Sequence, residues 1–293
     1  MSKDIWQPKT YKLYIFLVFP IVIYGLCVFA PIIGAIYNSF FKWSGGPRTF
    51  IGADNYVEMI NDRVFWLAFK INLFFVLFSM IGQLGIAFIL SALLNSKQLK
   101  FYNFHRAVIF MPVILASVVV GFLWNMIYSS NFGLLNLFLR SIGQEALIQN
   151  WLDDPKIVLF SLVAPKIWQY IGLYMVILLA AIQNISKDVI EASELDGCTG
   201  LKQNWYIILP LIKNTFFVAV IYCIAGNMKT FEQIVVMTGG GPGRSSMVLA
   251  LYAYMTSINK LELGYGSTLA IGTLILSLVL IIVSRLVFTT REK

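Results

Sequence analysis

Charge is scarce in this sequence: 12% of its 293 residues are Asp, Glu, Lys or Arg, against about 25% in a soluble globular chain. That leaves too little polar surface for a water-soluble domain, and the 59% hydrophobic content points to a bilayer as solvent. Histidine is scarcer still, with His105 alone, which removes most imidazole-dependent metal sites. No constellation of nucleophile and base accompanies it, so the chain reads as non-catalytic. No GxxxxGK[ST] occurs, so no P-loop can cradle a nucleotide, and an ATPase driving this chain would be another polypeptide. No Asp or Glu falls near the centre of an apolar run, Glu232 standing at the outer end of one. That argues against an ion-coupled secondary transporter, whose intramembrane carboxylates are functional. Cys27, Cys198 and Cys223 imply no disulfide framework and read as small packing residues. A net charge of +8 would suggest nucleic acid as partner of a soluble protein; here its distribution assigns it to membrane orientation, and no nucleic acid is expected.

What the sequence does have is six apolar runs, near 12–36, 66–94, 107–128, 157–183, 211–231 and 267–289. Each is long enough to cross a hydrocarbon core of roughly 30 Å as a helix. VILLAAI (176–182) and LILSLVLIIVS (274–284) are apolar on every side, unlike the alternating strands of a barrel. The fold class is therefore all-α integral membrane, six transmembrane helices in a single domain, 1–293. The first run is longer than the roughly 7–15-residue core of a signal peptide and predicts a retained helix. Lys3, Lys9, Lys12, Lys97, Lys100, Arg106, Lys187, Lys202, Lys213, Arg285, Arg291 and Lys293 fall on the side of the termini. Only Lys42, Arg48, Arg63, Arg140, Lys156, Arg244 and Lys260 fall on the other. The positive-inside rule then places both termini in the cytoplasm.

Between the runs, loop 37–65 offers a Gly-Gly-Pro turn and an amphipathic segment at 55–60, a docking surface on the outer side. Leu134, Leu135, Leu137, Phe138 and Leu139 predict a helix lying along the bilayer. Gly82, Gly85, Pro112, Gly121 and Gly172 predict close helix packing. Trp124, Tyr128 and Trp168 suit an interfacial belt. Tyr170 with Tyr174, and Asn227 with Lys229, Thr230 and Phe231, recur at helical spacing and are candidates to line a common cavity. Aromatic faces with amides and hydroxyls nearby suit a sugar.

The stretch EASELDGCTGLKQNWYIILP (191–210) interrupts this apolar landscape, with Asp188, Glu191, Glu194 and Asp196 inside nine positions. Ser186 can cap a short helix with Asp188 near its positive end, and Val189, Ala192 and Leu195 recur along one side. Gly197 and Gly200 then break the helix, a second one follows over 201–208, and Pro210 opens the fifth span. The predicted helix-turn-helix over 186–210, acidic edge outward, suits insertion into a groove on a soluble partner.

This stretch resembles the EAA motif of inner-membrane permeases of binding-protein-dependent ABC importers, roughly EAAxxDGAxxxxxFxxIxLP. Glu191, Ala192, Asp196, Gly197, Ile207, Leu209 and Pro210 match at the family spacing, with Ser193, Cys198 and Trp205 as small-for-small or aromatic-for-aromatic replacements. A second segment, Thr238, Gly239, Gly240, Gly241 and Pro242, resembles the TGGGP of the maltose-type, first-permease branch. The large extracytoplasmic insertion of some maltose permeases is lacking. The resemblance implies a type I importer permease with the MetI-like fold, working in the bacterial cytoplasmic membrane. It implies a second homologous permease subunit, two ABC ATPase subunits and an extracellular substrate-binding protein as partners. ATP and Mg would sit on the ATPases and no cofactor on this chain. Glu191, Ala192, Ser193, Asp196, Gly197 and Pro210 would couple to the ATPase. The implied substrate is a sugar, an oligosaccharide first, with glycerol-3-phosphate or another polar solute as alternative.

Overall fold

The computed structural model describes residues 10–95 and 100–289. Lys3, Lys9, Lys97, Arg291, Lys293 and the side chain of Lys12, on which the expected orientation partly rests, lie outside the described residues, as do both chain ends.

The order of elements is α1 (Thr10–Tyr24), a π turn (Gly25–Phe29), α2 (Ala30–Asn38), the strands β1 (Phe41–Lys42) and β2 (Thr49–Phe50), then α3 (Asp54–Asn61) and α4 (Arg63–Asn95). There follow α5 (Tyr102–Ile114), α6 (Ser117–Tyr128), α7 (Leu134–Ser141), α8 (Val158–Gln183), α9 (Lys187–Leu195) and α10 (Leu201–Gln203). After a second π turn (Asn204–Ile208) come α11 (Leu209–Leu211), α12 (Lys213–Met228), α13 (Glu232–Met237), α14 (Leu249–Tyr254), a third π turn (Met255–Asn259) and α15 (Leu263–Thr289).

Among the described residues four helical stretches are long and apolar enough to cross a membrane: Phe16–Asn38, Arg63–Asn95, Val158–Gln183 and Leu263–Phe288. The other two apolar runs are bent. The run expected near 107–128 is α5 and α6, which meet at 99°, and Leu201–Leu211 meets α12 at 79°. Counting each bent pair as one crossing gives six. At the first bend Leu115 and Ala116 are extended, with ψ of 137° and 140°. Pro112 has no N–H, so it weakens the last turn of α5 just before that point. At the second bend the long helix starts at Lys213, after Ile212, and not at Pro210 as expected from the sequence.

Pro210 instead lies within a continuous helical stretch because a π turn precedes it. Pro31 stands in the same relation to Gly25–Phe29. A proline ring collides with the carbonyl four residues back, here Tyr206 and Cys27, and both carbonyls fall inside the widened turn, which gives the ring room.

The chain divides into two compact units, one holding residues up to Asp62 with Ala253–Gly272, the other Arg63–Tyr252 with the residues from Thr273 on. In the first, Phe41 pairs with Phe50 and Lys42 with Thr49 across the hairpin, and the Arg48 guanidinium lies 3.8 Å above the Trp43 ring. Ser39 joins the surrounding segments. Its Oγ donates to the Ile36 carbonyl (2.6 Å) and meets the Tyr56 hydroxyl (2.7 Å), and its carbonyl accepts from Asn55 Nδ2 (2.8 Å) and Thr268 Oγ1 (3.3 Å). The expected amphipathic segment at 55–60 is α3, whose Asn55 and Met59 are buried while Val57 and Ile60 are exposed.

In the second unit α4, α8 and α12 form the core, with Phe65, Phe75, Leu162, Met175, Leu178 and Met228 fully buried. Gly172 lets α8 lie directly on α5, since a Cβ there would strike the Ile109 carbonyl and the Phe110 backbone. The helix expected at 134–139 is α7, with Asn136 and Leu139 buried and Leu134, Leu137 and Phe138 exposed.

Candidate functional site

Two regions hold the residues singled out by the sequence. The first is the loop from Ser186 to Leu211. Ser186 caps α9 by accepting from the Asp188 amide (3.3 Å), as its sequence predicts. At the other end the Cys198 amide donates to the Ser193 carbonyl (2.8 Å) and the Gly197 amide to the Glu194 carbonyl (3.0 Å). That pair of bonds is a Schellman closure, and it requires the left-handed conformation that Gly197 adopts at φ +76°. Ser193 is buried: it donates to the Ile190 carbonyl (2.7 Å) and accepts from Gln203 Nε2 (2.8 Å), which fixes the second helical segment against α9.

The exposed side of α9 carries Ala192 and Leu195, with Leu195 90% exposed. Glu191, Glu194 and Asp196 are exposed around it, and Leu201 and Tyr206 continue the apolar surface. Trp205 turns an edge to Phe88 of α4 at 6.0 Å, and Pro210 is exposed beyond it. Behind the loop, Asn184, Ile185, Val189, Ile212 and Thr215 line a cleft of about 380 Å³.

The second region is the polar interior of the second unit, where side-chain amides reach across to backbone carbonyls of neighbouring helices and bends. Gln169 Nε2 donates to the Leu115 carbonyl at the α5–α6 bend (3.0 Å). Asn125 Nδ2 donates to Val236 (2.9 Å), near the end of α13. On either side of Pro165 in α8, the Leu162 carbonyl accepts from Gln233 and the Lys166 carbonyl from Gln83, both at 3.0 Å. Asn72 reaches the carbonyls of Asn227 and Met228 (3.3 and 3.4 Å) and accepts from the Leu249 amide (2.8 Å), joining the end of α12 to the start of α14. With no water in a bilayer core, such bonds make irregular backbone tolerable at depth.

The proposed pathway residues divide within this region. Tyr174, Asn227 and Thr230 are buried. Asn227 Nδ2 donates back to the Cys223 carbonyl (2.8 Å), and the Tyr174 hydroxyl reaches the Cys223 thiol. Tyr170 and Phe231 are half-buried and Lys229 is exposed, as are Tyr222 and Gly226 on the same helix as Asn227. Sequence reasoning passed over Asn72, Gln83 and Lys166. Their signal was present, since an amide or ammonium inside an apolar run is expensive unless something uses it.

The TGGGP segment closes on itself. Thr238 and Ser246 hydroxyls meet at 2.8 Å, Ser246 Oγ donates to the Gly241 carbonyl (2.6 Å), and the Gly241–Pro242 peptide is cis. Gly239 and Gly240 have φ of +59° and +91°, and Met247, Val248, Leu249 and Leu251 just beyond are buried. The region after α12, expected as an outer loop, is thus packed into the unit through α13 and α14.

Comparison with known proteins fits this arrangement. The family described as "Binding-protein-dependent transport system inner membrane component" matches residues 13–290. The "Probable ABC transporter permease protein YurN" of Bacillus subtilis is 35% identical over 283 residues, covering 96% of this chain and 97% of that protein. The "Arabinooligosaccharides transport system permease protein AraP" of the same organism is 28% identical, covering 96% and 90%. The fold matches, with a TM-score of 0.81, 21% identity and coverage of 94% and 92%, a chain of the "bacterial alginate ABC transporter in complex with alginate pentasaccharide-bound periplasmic protein".

Proposed function

The chain belongs to the family of binding-protein-dependent transport system inner membrane components, and on that premise we propose that it is the permease subunit through which an ATP-driven importer passes a sugar. An oligosaccharide is favoured by the named substrate of the arabinooligosaccharide relative. The chain pairs with a second, homologous permease, two ABC ATPases stand beneath the pair, and an extracellular binding protein delivers the solute. Both termini and the loop 186–210 face the cytoplasm. ATP and Mg bind the ATPases; this chain makes and breaks no covalent bond.

The observation that carries this reading is the surface of α9. Leu195 stands 90% exposed on a helix ringed by Glu191, Glu194 and Asp196, and nothing among the described residues covers it. A basic-rimmed apolar groove on an ATPase supplies both kinds of contact. Ala192 lets the helix approach the groove floor, Ser193 locks it to Gln203, and Gly197 makes the turn. Nucleotide-driven closure of the ATPases moves the grooves, and the loop transmits that movement into α8 and α12, which it joins. Tyr170, Lys229 and Phe231 are placed to meet solute, whereas Tyr174, Asn227 and Thr230 hold the wall behind them. Thr238, Gly239, Gly240, Gly241 and Pro242 form the segment nearest the delivering protein.

Purification of the tagged chain from native membranes in mild detergent tests this. Recovery of a second permease and a P-loop ATPase, with hydrolysis stimulated by sugar-loaded binding protein, is expected. Recovery of the chain alone, transporting without nucleotide, would overturn the reading.

A further inference from the structure

Lys166 is 7% exposed, eight residues into α8 from its outer end and so roughly 12 Å along the helix axis. Its ammonium lies 4.6 Å from the centre of the Tyr170 ring. Among the described residues no carboxylate comes within ion-pair distance of it, and the opposing charge it senses is the more distant Glu232. Burying a lysine at depth in a membrane is costly, and a cation–π contact returns only part of that cost. The ammonium therefore has three strong N–H donors, one aromatic face over it, and no anion.

Its surroundings are built rather than incidental. Gln83 of α4 holds the Lys166 carbonyl, and Gln233 of α13 holds the Leu162 carbonyl one turn above, so the backbone carrying the lysine is fixed on both sides. The Oε1 atoms of Gln169 and Gln233 are themselves buried without a donor. Tyr170, one turn deeper, is half-buried, and Tyr222 of α12, which acts electrostatically on the neighbouring Tyr174, is exposed. The amides of Gln83 and Gln233 thus stand at and just outside the level of the sheltered cation, with the Tyr170 ring one turn deeper.

Resting on the permease reading, we propose that Lys166 is a charge-recognition point on the translocation path, so that the sugar carried by this importer bears an acidic group, a carboxylate, sulfonate or phosphate. The i to i+4 spacing of Lys166 and Tyr170 corresponds to roughly 6 Å along the helix, the reach from the face of a sugar ring to an acidic substituent on it. Tyr170 covers the ammonium until the acid displaces it and then stacks on the ring. One buried cation then serves one anion.

The test uses the complete importer in proteoliposomes with its binding protein and measures ATP-driven uptake of cellobiose and of its uronate-ended counterpart, cellobiouronic acid. Wild type is expected to favour the acid. Lys166→Gln should lower uptake of the acid by about tenfold, equivalent to about 1.4 kcal/mol, and leave cellobiose within about twofold. Lys166→Arg should keep most uptake of the acid, and both variants should assemble in normal yield. The proposal is overturned if wild type carries only cellobiose, if Lys166→Gln carries the acid at the wild-type rate, or if it loses both sugars equally. Absence of any ATP-dependent uptake by wild type would instead overturn the permease reading itself.

Discussion

The loop around α9 and the interior of the second unit invert each other's chemistry. In the loop, Leu195 and Leu201 stand in the open beside carboxylates. In the interior, Asn72, Gln83, Gln169 and Gln233 are buried among leucines and phenylalanines. The interior amides donate their N–H groups to this chain's own backbone, which ties the helices together within the fold, while the Oε1 atoms of Gln169 and Gln233 keep no donor. The loop's apolar groups are covered by nothing among the described residues, and in the proposed function their role needs another protein. Changes in the loop should therefore move properties of the assembly, and changes in the interior should move the stability of the chain alone.

The largest effect is expected at Gly197. Gly197→Val forces a β-branched residue to a positive φ, a strain on the order of 1–3 kcal/mol, and opens the Schellman closure. Sugar-stimulated ATP hydrolysis of the reconstituted importer should fall to its basal rate, with the thermal midpoint of the isolated chain nearly unchanged; intact stimulation would break the division drawn here. Next comes Asn72→Leu, which removes the side-chain bonds to the Asn227 and Met228 carbonyls and strands the Leu249 amide at depth. A loss of about 2 kcal/mol is expected, read as a lower unfolding midpoint in detergent before any partner is added.

How much of this was legible in the sequence follows the same division. The loop could be read almost residue by residue, because a cap at Ser186, a turn at Gly197 and an acidic edge are local consequences of local residues. The bend at Leu115–Ala116 could not. Those two residues carry no turn signal, and the bond that makes the bend tolerable comes from Gln169, more than fifty positions later. The packing of the region after α12 was hidden for a related reason: the Leu249 amide is held by Asn72, which lies on another helix far back in the sequence. Apolar runs give the length of a crossing and not its path.

Smaller effects sharpen the comparison. Leu195→Ser removes an exposed apolar group, so chain stability should hold within about 0.5 kcal/mol. Association with the ATPase should weaken by about tenfold in a pull-down titration, since burying a leucine contributes about 1.5–3 kcal/mol. Smallest is Ser186→Ala, which removes one capping bond worth about 1 kcal/mol. Faster amide hydrogen exchange confined to the first turn of α9 is its expected signature, and exchange spreading into α8 would mean that the loop and the span unfold as one.

The π turn at Asn204–Ile208 makes the loop sensitive to counting. Such a turn holds about one residue more than a regular α-helical turn while sweeping about the same angle, so the segments on either side keep their register. Removing one residue between Asn204 and Ile208 would let the stretch rewind as ordinary helix and press the carbonyl four residues back against the Pro210 ring. Point substitutions at these five positions leave that room intact, whereas a single-codon deletion removes it. At this place the number of residues in the chain decides where a proline can stand inside a helix.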